Sequence, residues 1–200
     1  PGLQAGLGVM KVDSGHTDLG ESQLMRPRPQ LAHQPLPVEP MTLLHEPIRE
    51  SRTQHWRHEA DCAALATSLA TRPALHDAHL DLHGPLGAGK TTFVRHLLRA
   101  LGVAGRIKSP TYTVLEPYHA GTLPVAHFDF YRFDDPREWE DAGFRDTFAA
   151  PGLKLVEWPD KAAGMLPPPD LRIVIAPAGD HAREVTLQAL SARGRELLPS

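Results

Sequence analysis

Residues 84–91 combine three glycines, a lysine and a threonine in the spacing G-x-x-x-x-G-K-[ST], within the stretch Asp-Leu-His-Gly-Pro-Leu-Gly-Ala-Gly-Lys-Thr-Thr at 81–92. Glycines let a backbone wrap around an anion without Cβ clashes. The lysine can reach the β- and γ-phosphates of a nucleotide, and the threonine hydroxyl can bind Mg²⁺. The spacing therefore predicts a nucleotide-binding loop. Its expected contact residues are Gly84, Pro85, Leu86, Gly87, Ala88, Gly89, Lys90, Thr91 and Thr92.

This loop lies between a predicted strand and a predicted helix, which are the elements that must position it. Residues 78–83 alternate as a short strand does, and apolar residues from Phe93 to Leu101 recur at helical spacing before Gly102. A helix that begins directly after the glycines aims its first N–H groups, and the positive end of its dipole, at one point. That point attracts phosphate. The alternative is an ordinary glycine-rich turn, and the Lys-Thr pair argues against it.

Two acids near the ends of later predicted strands are candidates for the second half of the site. Asp129 lies in His-Phe-Asp-Phe-Tyr-Arg at 127–132, and Glu157 lies in Leu-Val-Glu-Trp-Pro at 155–159. Such an acid can hold Mg²⁺ across the β- and γ-phosphates, directly or through water, and another can orient the attacking water. The alternatives are a surface ion pair between Asp129 and Arg132, and a solvated Glu157 before a turn.

Other polar and aromatic residues keep more than one interpretation. Ser109, Thr111 and Thr113 follow the first predicted helix by a short connection, where a hydroxyl could report the γ-phosphate or ligate metal. The alternative is a plain turn with a Ser-Pro start. Trp158 is either a stacking partner for a base or a packed residue. We interpret His127 as a packed strand residue rather than a catalyst. The histidines show no zinc-like spacing with Cys62, so no zinc site is predicted.

The rest of the pattern predicts an α/β protein. Helix starts are expected at Asp61, with Pro73 beyond the end, and at Asp135, with Pro136 at the first helical position. The predicted strands, several of them joined by turn signals, lie at 52–58, 78–83, 113–118, 123–130, 153–157, 171–176 and 183–190. This order indicates a compact P-loop NTPase-like domain with a mixed parallel and antiparallel sheet flanked by helices.

Composition limits the organisation and the partners. Of 200 residues 41% are hydrophobic, which suffices for one domain with an appendage. Prolines and glycines crowd residues 1–50, interpreted as a disordered extension before an ATPase domain at 51–192 and a tail at 193–200. A net charge of −3 argues against autonomous RNA binding. A lone cysteine, with no membrane-length apolar run and no export pattern, leads us to expect a cytoplasmic protein without membrane contact.

Four motifs in a fixed order resemble those of the bacterial TsaE family, also called YjeE. They are Gly-Pro-Leu-Gly-Ala-Gly-Lys-Thr-Thr at 84–92, Ser-Pro-Thr at 109–111, His-Phe-Asp-Phe-Tyr-Arg at 127–132 and Val-Glu-Trp-Pro at 156–159. Many families share the first motif, whereas the ordered set is highly specific. The resemblance covers roughly residues 52–190 and leaves out the proline-rich extension.

This resemblance implies a Mg²⁺-dependent ATPase of tRNA threonylcarbamoyladenosine synthesis. It implies that the chain works in a complex with the TsaB and TsaD proteins and reaches tRNA only through them. ATP binding and hydrolysis would reset that complex between turnovers. Lys90 resembles the residue that holds phosphate, Thr91 and Glu157 resemble metal ligands, and Asp129 resembles the acid needed for hydrolysis, in contact with the metal directly or through water.

The resemblance also implies site positions for Thr111 in a nucleotide-sensing loop, Trp158 beside the active site and Arg183 near the base. Two other functions remain open. One is a small-molecule kinase that uses the same loop, although the sequence contains no compact arginine-rich lid insert of the kind such kinases close over their substrates. The other is a nucleotide-dependent docking module that does not hydrolyse appreciably.

Overall fold

The computed structural model describes residues 50–199, apart from 136, 138, 140 and 141, so nearly all of the predicted extension lies outside the described residues. Within them the strands are β1 (Glu50–Trp56), β2 (His79–His83), β3 (Leu115–Ala120), β4 (Leu123–Asp129), β5 (Leu153–Glu157), β6 (Leu171–Pro177) and β7 (Arg183–Ala189). They form one sheet in the order β1-β7-β6-β2-β5-β4-β3. Strands β6, β2, β5 and β4 are parallel neighbours, and β1, β7 and β3 pair antiparallel. The mixed sheet with flanking helices confirms the predicted fold class.

The described helices are α1 (Glu59–Ala70), α2 (Lys90–Ala100), α3 (Phe144–Ala149) and α4 (Ala192–Leu197), with 3₁₀ turns at Pro73–Asp77 and Pro159–Ala162. Helix α1 begins two residues before the predicted start. The reason is that the Asp61 carboxylate reaches back and accepts hydrogen bonds from the backbone N–H groups of Arg57 and His58. The predicted N-cap Asp135 accepts from the N–H of Arg137 at 2.9 Å, whereas residue 136 lies outside the described residues.

Alternation along the strands gives the sheet two different cores. Side chains such as Leu80 and Leu155 face α1 and α2 within an aliphatic cluster. On the opposite face, Phe128 and Val156 pack in an aromatic cluster. The closest stacking there joins Phe128 to Phe148 of α3, with ring centroids 4.8 Å apart. Both faces of the parallel strands are therefore covered where those strands approach the glycine loop at 84–89, which keeps their ends in fixed positions.

The carboxyl-terminal residues contribute to the packed structure. Residues 193–197 of the predicted tail lie in α4, whose N-cap Ser191 accepts from the N–H of Gly194 at 3.0 Å. Leu197 of this helix is fully buried in the aliphatic cluster. Burial of a leucine side chain stabilises a domain by roughly 1.5–3 kcal/mol, so these last residues contribute to the stability of the fold. The division of the chain into extension, domain and tail is otherwise still a prediction.

The cysteine and the helix lengths bear on reactivity and on membranes. Cys62 is buried, and burial raises the pKa of its thiol to about 12. The group is therefore a packed thiol rather than a reactive thiolate. Among the residues that the structure describes, no helix combines the length and the apolar character needed to cross a bilayer.

Gly152, which precedes β5, generates a prediction about stability. Its φ is +122°, and a Cβ added there would lie 2.5 Å from the carbonyl oxygen of Pro124. We expect Gly152→Ala to lower the free energy of unfolding by about 3 kcal/mol, because backbone strain and a backbone clash combine. Gly121→Ala is the control, since Gly121 also has positive φ but open space at its Cβ position. It should lose about 1 kcal/mol. Equal shifts in denaturant midpoint for the two variants would contradict the clash.

Candidate functional site

The loop at 84–89 joins the central strand β2 to the first residue of α2. Gly84 has a φ of +141°, and a Cβ there would lie 2.3 Å from the carbonyl oxygen of Ile175 in β6. Only glycine fits this close approach, which sets the direction in which the chain leaves β2. Gly89 caps α2 in the left-handed region, so the first N–H groups of the helix face the cavity beyond the strand ends.

Lys90 lies at the base of this cavity and is 4% exposed. Its Nζ donates to the carbonyl oxygens of Gly84 at 2.7 Å and Pro85 at 3.0 Å. The same Nζ lies 3.9 Å from the centre of the Trp158 ring, a cation–π contact. Burial lowers the pKa of Lys90, and the nearby carboxylates of Glu157 and Asp129 oppose that shift.

Glu157 ends β5 directly opposite the start of α2. It is 2% exposed, which excludes the alternative of a solvated acid. The Thr91 hydroxyl donates to Glu157 Oε2 at 2.9 Å, and His127 Nε2 lies 2.9 Å from Oε1. Thr91 and Glu157, 66 residues apart in the chain, thus meet at one point in the cavity wall.

Asp129 ends the neighbouring strand β4 and is 3% exposed. Its Oδ2 accepts from the hydroxyls of Ser109 at 2.6 Å and Thr111 at 2.7 Å, and its Oδ1 accepts from the N–H of Tyr131 at 3.0 Å. The alternative interpretation, a surface ion pair between Asp129 and Arg132, does not hold between these two described residues. Arg132 instead lies over the ring of Tyr112, 4.4 Å from its centre.

An open cavity of about 500 Å³ connects these groups. This volume is in the range of small-molecule sites. The predicted residues that line it are Leu86, Gly87, Gly89, Lys90, Thr91, Thr92, Thr111, Asp129, Glu157 and Trp158. Its side-chain oxygens come from hydroxyls and carboxylates, the ligands that Mg²⁺ prefers. In the described part of the chain no cluster of three or more His, Cys, Asp or Glu side chains could hold a metal alone.

Four of the predicted nucleotide-contacting residues do not line this cavity. Gly84 and Pro85 do not line the cavity and instead contact Lys90 through their carbonyl groups. Ala88 and Arg183 line a second cavity of about 200 Å³ on the other side of the loop. Arg183 Nε donates to the carbonyl oxygen of Ala88 at 2.9 Å, which ties the start of β7 to the loop.

Sequence reasoning left several residues of the site without a role. Tyr131 and Arg132 line the main cavity although only Asp129 has a predicted role in their motif. Ser109 lines the cavity as well, as one of the three predicted hydroxyl candidates. His127 was interpreted as a packed residue, and it is fully buried, yet its ring contacts Glu157. A signal for it did exist. Residues two apart on a strand share a face, so His127 had to lie on the same side of β4 as Asp129.

Comparisons with known proteins identify the family of the chain. A sequence profile of the family described as "Threonylcarbamoyl adenosine biosynthesis protein TsaE" matches residues 56–185. The protein of Haemophilus influenzae named "tRNA threonylcarbamoyladenosine biosynthesis protein TsaE" is 42% identical over 117 residues, which are 58% of this chain and 73% of the relative. The protein of the same name from Bacillus subtilis is 44% identical over 114 residues, 57% of this chain and 71% of the relative.

The fold of the chain is also similar to that of a solved structure. The crystal structure of Bacillus subtilis YdiB superposes with a TM-score of 0.60 at 32% sequence identity, covering 74% of this chain and 92% of YdiB. The profile alone spans more than half of the chain, and the two relatives are covered over more than two thirds of their length. This chain therefore belongs to the TsaE family of threonylcarbamoyl adenosine biosynthesis proteins.

Proposed function

We propose that this chain is a Mg²⁺-dependent ATPase required for tRNA threonylcarbamoyladenosine modification. The observation that carries the proposal is the meeting of Lys90, Thr91, Glu157 and Asp129 around one cavity. A loop that binds phosphate would need only the first two. The two buried acids add what hydrolysis requires, which is a place for a metal and a group that acts on water.

Phosphate binding is assigned to the loop and to Lys90. An ammonium group has three donors, and two of those of Lys90 go to the carbonyls of Gly84 and Pro85. These two contacts hold the ammonium in place and leave a third donor for a phosphate oxygen. The N–H groups at the start of α2 add fixed positive potential at the same point.

Mg²⁺ fits the oxygen donors on the other side of the cavity. Thr91 and Glu157 would hold it, with Asp129 in contact directly or through water, and nucleotide phosphates would complete the set. This fits the preference of Mg²⁺ for one or two carboxylates together with substrate phosphates. The bound ion would neutralise charge that develops on the phosphoryl oxygens during hydrolysis.

Asp129 is assigned to hydrolysis. Its Oδ2 is engaged by Ser109 and Thr111, so the carboxylate is tied to the loop that connects α2 with β3. Any change in that loop, as on recognition of a γ-phosphate, would therefore alter the position or hydrogen bonding of the acid. This supports the proposal that Thr111 belongs to a nucleotide-sensing loop.

The base side of the nucleotide is assigned to the second cavity. It adjoins the loop and is lined by residues that include Trp56, Glu59 and Arg183. An aromatic residue together with a few polar residues is typical of the wall of a site that holds a heterocycle. In this arrangement Trp158, whose ring lies against the Lys90 ammonium, forms part of the wall of the main cavity, where the phosphates would bind.

The partners are proposed from the family. The chain would act with TsaB and TsaD in the cytoplasm, and ATP hydrolysis would allow repeated turnover of the modification. The net charge of −3 supports indirect contact with tRNA, because proteins that grip RNA alone usually carry a basic stripe.

Removal of the Lys90 ammonium tests nucleotide binding. We expect Lys90→Ala to weaken ATP binding by about 10- to 100-fold, since charge-assisted hydrogen bonds contribute roughly 1.5–3 kcal/mol. Isothermal titration calorimetry measures this. Lys161→Ala is the control, because Lys161 is exposed and does not line the cavity. Equal affinity of wild type and Lys90→Ala would rule out the assigned role.

Replacement of Asp129 separates binding from hydrolysis. We expect Asp129→Asn to keep nucleotide affinity close to that of wild type while phosphate release, measured with TsaB and TsaD present, falls about 100-fold or more. The control is Asp134→Asn, whose carboxylate is mostly exposed. Full multi-turnover tRNA modification by Asp129→Asn would contradict the assignment of Asp129 to hydrolysis.

The same assay on the wild-type chain separates the two rival functions. A phosphorylated metabolite in place of free phosphate would favour the small-molecule kinase. Nucleotide binding without any phosphate release would favour the docking module.

A further inference from the structure

A buried histidine contacts the carboxylate of Glu157, the proposed metal ligand. His127 lies on β4, two residues before Asp129, and has no exposed surface. Its Nε2 is 2.9 Å from Glu157 Oε1, while the other carboxylate oxygen of Glu157 accepts from Thr91. The two oxygens of this carboxylate are thus engaged from opposite sides.

Only one of the two ring nitrogens of His127 has a polar partner among the described residues. A carboxylate only accepts hydrogen bonds, so the hydrogen of the contact with Glu157 lies on Nε2. Nδ1 is buried and has no hydrogen-bond partner among the described residues. Because the ring has neither a second partner nor access to solvent, it cannot pass a proton onward, and its contact with Glu157 serves orientation.

We propose that His127 is a positioning residue that sets the rotation of the Glu157 carboxylate so that Oε2 faces Thr91 and the metal. The inference rests on the proposed function. Rotation about the last bond of a glutamate side chain is broad, so packing alone does not fix the plane of the carboxylate. A hydrogen bond to Oε1 does fix it, and outer partners orient metal ligands in this way.

The test is the Mg²⁺ dependence of nucleotide binding to the full chain without partners. Binding of the non-hydrolysable analogue AMP-PNP is measured by calorimetry across a Mg²⁺ series and also without Mg²⁺. We expect His127→Leu and His127→Asn to raise the half-saturating Mg²⁺ concentration about 10- to 100-fold, with the metal-free affinity unchanged. His127→Gln should restore most of the wild-type dependence, because its amide nitrogen occupies nearly the position of Nε2, whereas the shorter Asn cannot reach Oε1.

His79→Leu is the matched control. His79 is also a buried strand histidine beside a carboxylate, with Nε2 2.9 Å from Asp81 Oδ1, but it lies on β2 away from Glu157. Nucleotide binding by His79→Leu should therefore show the same Mg²⁺ dependence as binding by wild type. If His127→Leu does not fold, the comparison of His127→Gln with His127→Asn decides. The inference is overturned if His127→Asn has the same Mg²⁺ dependence as wild type, or the same as His127→Gln. If nucleotide binding by the wild-type chain does not depend on Mg²⁺, the proposed function is overturned as well.

Discussion

Parallel pairing of β2, β5 and β4 is the constraint on which the site depends. The carboxyl ends of parallel strands meet at one edge of a sheet. Here β2 leads into the glycine loop at 84–89, β5 ends at Glu157 and β4 ends at Asp129. Asp129 and Glu157 are direct partners in the pairing register. A slip of one residue in β5 would turn Glu157 into the aromatic cluster and bring Val156 or Trp158 to the loop, because side chains alternate between faces.

The chemistry of the site follows from burial of charge. Asp129 and Glu157 are almost completely removed from solvent, and a buried carboxylate is unfavourable unless donors surround it. Each one has them. Asp129 accepts from two hydroxyls and a backbone N–H, and Glu157 accepts from Thr91 and contacts His127. The donors hold both acids in defined orientations before any ligand arrives, which is the condition for effective binding of a metal or orientation of a water.

Sequence alone predicted the parts that local motifs specify. The glycine loop, its flanking strand and helix, and the two acids at strand ends were found because turn residues and alternation act over a few positions. Contacts across the sheet could not be found in this way. The need for glycine at 84 comes from the carbonyl of Ile175 in β6. The face of β4 on which His127 lies follows from its spacing to Asp129, but its contact with Glu157 comes from the pairing of β4 with β5. Arg183 was expected near a base, and the hairpin of β6 and β7 sets it against the loop carbonyl of Ala88.

A crystal structure of the chain with AMP-PNP and Mg²⁺ tests the central claim most directly. We expect the triphosphate against the N–H groups at the start of α2 and Lys90. The metal should lie about 2.1 Å from Thr91 Oγ1, with the carboxylates of Glu157 and Asp129 as direct or water-mediated neighbours. A triphosphate bound outside this cavity, or a metal remote from both carboxylates, would contradict a site built at the ends of these strands.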